Sequence, residues 1–129
     1  MLGHVRQKKA RTLVDIPRTR HKIATRPALN GMKLEIKYTE DALKDLEAFR
    51  KYDQTLLLDR VDRQLAHQPA VETRNRKRLR PNLVSEWELR VGHFRVFYDV
   101  LADESLVKVV AIGYKKGSRL FLRGEEFDL

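Results

Sequence analysis

The run from Trp87 to Val100, WELRVGHFRVFYDV, constrains the fold more than any other part of this chain. Two alternating arms flank Gly92-His93, and glycine at the first central position is what a two-residue type II′ hairpin turn demands, because it tolerates φ > 0. Counting outward from that turn pairs Val91 with Phe94, Leu89 with Val96 and Trp87 with Tyr98 on an apolar face. The other face pairs Arg90 with Arg95, Glu88 with Phe97 and Glu86 with Asp99. Like charges directly opposite one another are destabilising, so the facing arginines ask for a reason. Either the two side chains splay into water or borrow Glu88, or a polyanion visits this face, since guanidinium forks suit phosphate oxygens.

Around the hairpin the periodicity supplies the remaining elements. Lys33 to Tyr38 alternates, with Leu34, Ile36 and Tyr38 on one face, and reads as a strand. Thr39 is its natural successor as a helix N-cap, with Glu40 and Asp41 in the first turn where carboxylates complement the helix dipole. Ala42, Leu43, Leu46 and Phe49 follow at helical spacing, and this helix is expected to end near Arg50 to Tyr52. Asp53 is the next cap candidate, opening a second helix with Leu57, Leu58, Val61 and Leu65 as its buried stripe and Pro69 just past its end. Leu106 to Tyr114 is a third, very apolar strand after the hairpin, and the tail LFLRGEEFDL has apolar residues to pack before an acidic end. The expected fold is α+β in the order β-α-α-β-β-β, a two-helix hairpin packed on one face of a mostly antiparallel four-stranded sheet. The helices should cover the Trp87 face and leave the Arg90/Arg95 face for water or a ligand.

Charge is unevenly spread. The net charge is +9. Residues 1–31 carry eight Lys and Arg against one Asp, and contain Pro17, Pro27 and Asn30-Gly31 without a sustained period. They read as a flexible basic arm, and residues 32–129 as the folded domain. Within that domain Arg74, Arg76, Lys77, Arg78 and Arg80 crowd into TRNRKRLRP. Such a run is often a solvated loop, but beside the Arg90/Arg95 hairpin it makes a shared anion-binding surface plausible. Lys115, Lys116 and Arg119 form a further basic turn after the third strand.

Several classes of function are disfavoured. The chain has no cysteine, so it can form neither a disulfide framework nor a thiolate metal site. His4, His21, His67 and His93 lie far apart and form no ligand-spaced cluster, so neither a metal nor another cofactor is expected. No apolar run approaches the roughly 20 residues of a membrane span. A cytoplasmic protein with no membrane partner is the expectation.

The residues from Met32 to Leu129 resemble the RelE/ParE superfamily of toxins from type II toxin–antitoxin pairs. The likeness is carried by the helical pattern of Ala42, Leu46 and Leu65, by Pro69, LRP and WELRVGHFRVFYDV, and by VKVVAIGYKK and the closing RLFLRGEEF. The resemblance implies a cognate antitoxin as partner and one of two activities. RelE-like members cut messenger RNA in translating ribosomes without a metal; ParE-like members poison DNA gyrase. Metal-free RNA cleavage needs a base for the 2′-hydroxyl, cations for the phosphorane and an acid for the leaving oxygen. Carried over residue by residue, the likeness implies that Arg95, Arg90 and Lys115 contact phosphate and that Glu88 serves as base. Arg74, Arg76, Lys77, Arg78, Arg80, Lys116 and Arg119 would then hold the rest of the nucleic acid. Tyr98 and His93 are the acid candidates, although the hairpin register turns Tyr98 inward. The lysines that many RelE-like nucleases carry on the preceding strand are here Glu86 and Glu88, and their catalytic tyrosine is here Phe121, which cannot donate a proton. The reading that follows is a growth-arresting toxin, first an mRNA endonuclease acting on ribosomes. Its alternatives are a gyrase inhibitor and an inactive relative that binds antitoxin or RNA.

Overall fold

The computed structural model describes residues 33–129 together with the backbone of Leu13 and Val14. Strands β1 (Leu13–Val14) and β2 (Glu35–Thr39) lead into helices α1 (Glu40–Glu47) and α2 (Lys51–Leu65). Then come β3 (Arg76–Arg78), β4 (Trp87–Val91), β5 (Phe94–Leu101), β6 (Leu106–Lys116), β7 (Arg119–Leu122) and β8 (Glu125–Phe127). The expected basic arm, residues 1–31, lies outside the described residues apart from β1, which pairs antiparallel with the end of β2.

The β4–β5 hairpin has the register counted from its turn, including Arg90 opposite Arg95. Gly92 takes φ +63 and supplies the reversal. Thr39 caps α1, its hydroxyl accepting from the Ala42 N–H at 3.0 Å. The first helix ends earlier than expected, at Glu47. The second starts at Lys51 with Arg50 as its N-cap, so that Asp53 falls in the first turn and pairs with Arg50 at 3.3 Å. Ala42 and Leu46 of α1 join Leu57, Val61 and Leu65 of α2 in one core against Trp87, Leu89, Val91, Phe94, Val96 and Tyr98. The helices therefore cover the face expected of them.

The expected count of four strands is corrected. Among the described residues seven strands run from residue 35 onward, and Leu13–Val14 adds an eighth. The order is β1-β2-β6-β5-β4-β3, with β7 on β6 and β8 on β7. Pairing is antiparallel except between β2 and β6, which are parallel neighbours although both helices and β3, β4 and β5 lie between them in the chain. Two segments account for the difference. The middle of the basic run pairs along the outer edge of β4 as β3, and the tail turns back twice to form β7 and β8.

Strand β6 changes neighbours along one edge. Its first half pairs with β2 and its last residues with β7. Between them two side chains take over the hydrogen bonding. Thr39 Oγ1 donates to the Val110 carbonyl at 3.0 Å, and Asp45 Oδ2 accepts from the Ile112 N–H at 2.9 Å. A bulge lies at the same place: Phe97 faces Ala111 while Tyr98 faces Val109, which leaves Val110 unpaired. The bulge shifts the side-chain alternation, so Val107 and Val109 share the helix-facing core with Ile112 rather than with Ala111.

The sheet's second face is partly covered. Phe97, Ala111, Leu120 and Leu122 form a second buried cluster, with Leu79, Val84, Phe127 and Leu129 packed against it. Among the described residues the Arg90/Arg95 face is thus open toward the Gly92 end, because β7, β8 and the β3–β4 connection bring apolar residues over the rest.

Candidate anion-binding face

The sheet register sets the site out in cross-strand rows. Lys77, Glu88, Phe97 and Ala111 stand opposite one another across β3, β4, β5 and β6. The next row is Arg90, Arg95 and Gly113, and Lys115 lies two residues beyond Gly113, opposite Leu120. Partners in register share a face, so Lys77, Glu88, Arg90, Arg95 and Lys115 all belong to the side away from the helices.

Glu88 organises the centre. A single oxygen, Oε2, lies 3.3 Å from Arg90 Nε and 3.6 Å from Arg95 Nε. The two guanidinium groups are therefore side by side, and the charge between them is internal. They differ in exposure: the Arg95 and Glu88 side chains are each 13% exposed, against 42% for Arg90. Arg95 Nη1 donates to the carbonyls of Gly92 at 2.9 Å and Phe94 at 3.0 Å, which folds the side chain back over the hairpin turn. Among the described residues its buried Nε–H has no hydrogen-bond acceptor, Glu88 lying just beyond that distance. Burial lowers the pKa of the Arg95 guanidinium, Glu88 opposes that shift, and Arg90 adds to it.

The basic run divides between the two faces. Lys77 goes with Glu88, whereas Arg76 and Arg78 pair with Leu89 and Trp87 on the helix side. Arg76 Nη1 donates to the Gln64 carbonyl at 2.7 Å, in the last turn of α2, and Nε donates to the Val71 carbonyl at 3.0 Å. It thereby satisfies a carbonyl that the helix end leaves open. Arg78 lies over the Trp87 ring at 5.7 Å, a cation–π contact. Arg74 and Arg80 are exposed in the flanking loops. Lys116 and Arg119 face each other across the β6–β7 turn, where Arg119 also lies 3.7 Å from Glu126. The structure thus groups Arg90, Arg95, Lys115 and Lys77, and places Arg76 and Arg78 elsewhere.

The candidates for proton transfer are also dispersed. Tyr98 is fully buried and donates to the Pro69 carbonyl at 2.7 Å. Phe121 stacks on Tyr114 at 5.5 Å, a residue of the helix-facing core rather than of the arginine row. His93 is exposed at the turn with its ring 4.2 Å from that of Phe94. Among the described residues no group of three His, Asp or Glu lies close enough to hold a metal ion.

Tyr98 has a structural role that can be measured. Tyr98→Phe is expected to lower stability by about 1 kcal/mol, since it removes a buried hydrogen bond while keeping the ring. Burial raises the Tyr98 pKa above its ordinary value of 10.0, with Arg76 opposing. The unfolded chain therefore ionises first. The stabilisation is fully present below the ordinary phenol value and declines as pH rises above it. Urea titrations across the alkaline range check this, and the variant should show the shallower decline.

Arg123 carries no signal of its role in its sequence neighbourhood. It adopts φ +52 in the β7–β8 turn and reaches α1, its Nε 3.1 Å from Asp45 Oδ1 and its Nη2 3.6 Å from Asp41. Asp45 therefore joins α1, the β6 edge and the tail hairpin.

Comparison with known proteins accords with this architecture. No sequence among the curated proteins matches the chain. The solved toxin–antitoxin complex RelBE2 from Mycobacterium tuberculosis is similar in fold, with a TM-score of 0.57 at 19% identity over 64% of this chain and 92% of that chain. Residues 36–118 match the family model of the ParE toxin of type II toxin–antitoxin systems. That span runs from β2 through both helices and the central hairpin to the β6–β7 turn, and on it the chain belongs to the ParE toxin family of type II toxin–antitoxin systems.

Proposed function

We propose that this chain is a toxin that arrests growth by binding its target and inhibiting it, with DNA gyrase as the target and a cognate antitoxin as the neutralising partner. One observation carries the reading: on the arginine face the candidate base is engaged and the candidate tyrosine acid is turned away, while His93 stands exposed at the turn beside Phe94. The Glu88 carboxylate lies between two arginines, Tyr98 is buried beneath the sheet surface, and Phe121 packs against Tyr114. A binding surface needs none of them free. It needs fixed charge and fixed shape, which a rigid hairpin provides. The match to the ParE family supports the same side.

A second reading, metal-independent cleavage of messenger RNA on the ribosome, is favoured by the Arg90/Arg95 pair with Lys115 on one face. Two guanidinium groups and an ammonium would stabilise a phosphorane without further chemistry.

The two readings separate in one experiment. Full-length protein added to purified gyrase is expected to abolish plasmid supercoiling, while messages in a translating extract keep their ends. Intact supercoiling together with new message ends would overturn the proposal in favour of cleavage. In either case Arg95→Ala is expected to relieve growth arrest on induction, because Arg95 fixes the turn end of the face. An unchanged arrest would remove this face from the activity.

A further inference from the structure

We infer that Glu88 is a specificity determinant, an internal anion that occupies the arginine pair and keeps single-stranded phosphodiester chains off this face. The inference deepens the binding reading and rests on the same arginine surface.

The geometry is that of a stand-in ligand. An anion binding here would place one oxygen between Arg90 Nε and Arg95 Nε, where Glu88 Oε2 already lies. The carboxylate is a compromise. It comes within hydrogen-bond distance of Arg90, but at 3.6 Å it leaves the buried Arg95 Nε–H without an acceptor. A buried donor left in this way is a place where an incoming oxygen gains.

Glu88 is tethered to the same strand as Arg90, so its effective concentration at the pair is high and a phosphate must displace it. Once displaced, its charge would remain on the sheet between Lys77 and Phe97 and repel the ligand that replaced it. Neutralising Glu88 removes both effects at once. It leaves Arg90, Arg95, Lys77 and Lys115 as an uncompensated basic surface, to which a single-stranded chain responds through counterion release.

The test compares full-length Glu88→Gln with the wild type for binding of a short fluorescent oligoribonucleotide. Glu104→Gln serves as a control, because it removes the same charge from an exposed position. Residues 1–31 are present in every protein compared, so their charge contributes equally.

Glu88→Gln is expected to bind about tenfold more tightly at low salt, with a log–log salt slope steeper by roughly one. Glu104→Gln should stay within about twofold of the wild type, and adding Arg95→Gln to Glu88→Gln should return affinity to the wild-type level. Equal affinity of Glu88→Gln and wild type would overturn the inference. So would an equal gain in Glu104→Gln, or a gain that persists without Arg95. If Glu88→Gln fails to fold by circular dichroism, Glu88→Ala is judged by the same outcomes. The oligonucleotide readout is independent of supercoiling, so a failed gyrase assay leaves this result standing, and the reverse also holds.

Discussion

Gly113→Ala is expected to destabilise the fold by about 3 kcal/mol, near the upper end for overpacking a core. For a domain of this size that is a fall in Tm on the order of 15 °C. Gly113 sits on β6 opposite Arg95, in ordinary backbone geometry, so its need for glycine is one of space and not of φ. A Cβ there would run into the Phe121 carbonyl and the Leu122 side chain of β7. The backbone oxygen has nowhere to retreat, because Phe121 is held in register by Tyr114. Gly117 offers the contrast. It has φ +68 and, among the described residues, nothing within 4 Å of where a Cβ would stand, so Gly117→Ala bears only the backbone penalty, roughly 1–2 kcal/mol. Urea unfolding of both variants decides the matter: a larger loss at Gly117 would refute the close approach of β6 and β7. Because the collision is with β7, amide exchange in Gly113→Ala should rise first in β7 and β8 and in the second cluster around Phe97.

That contrast shows where the sequence is informative and where it is not. The β4–β5 register was legible residue by residue because two local signals agreed, the Gly92 turn and an alternation in both arms that only Phe97 interrupts. Thr39 was legible as a cap for a similar reason, since hydroxyl capping depends only on residues next to it in the chain. The strands beyond the expected four depend on distant partners. Arg76–Arg78 has no apolar residue and no alternation, and becomes β3 because the outer edge of β4 offers unpaired backbone and because Arg76 has a helix end to bind. In the tail, Arg123-Gly124 between LFL and EEF is a hairpin signal, both residues taking positive φ, but the arms it joins are too short and too charged to show a strand period. Strand β6 was found without its face assignment, because it is buried on both sides and its bulge at Val110 interrupts the period.

The site was legible to the same extent. Arg90 and Arg95 face each other because register alone fixes them, and Glu88, two residues before Arg90 on the same face, was legible as a carboxylate the pair could borrow, although not as one whose single oxygen lies beside both. Nor can proximity in sequence divide the basic run. Alternation sends Lys77 to one face and Arg76 and Arg78 to the other once the segment is a strand, and as a loop it would have presented all of them together. Phe121 follows the same rule: its position matched a family site in the chain, but its strand turns the ring toward Tyr114.

Asp45→Ala is the other large effect expected, a loss of roughly 3 kcal/mol. The carboxylate is nearly inaccessible, and it has two partners of different kinds, the Ile112 N–H hydrogen-bonded to one oxygen and the Arg123 guanidinium ion-paired with the other. Truncation leaves the amide buried without its acceptor at the point where β6 has already lost β2 and not yet met β7, so no neighbouring strand can replace it. Asp45→Asn separates the two functions. Its amide oxygen can still accept from Ile112 while the ion pair is gone, and about half of the loss should return. Arg123→Ala alone should have a smaller effect, about 1 kcal/mol, because that side chain is one-third exposed and its charge is screened. If the carboxylate works through both partners, then adding Arg123→Ala to Asp45→Ala should have a smaller effect than adding it to an intact Asp45, the remainder being the Arg123–Asp41 pair. Additive losses in that cycle would mean that Arg123 and Asp45 stabilise the fold separately. The tail hairpin would then be held to α1 through the Arg123–Asp41 pair and packing, and the Ile112 amide should exchange at the wild-type rate in Arg123→Ala.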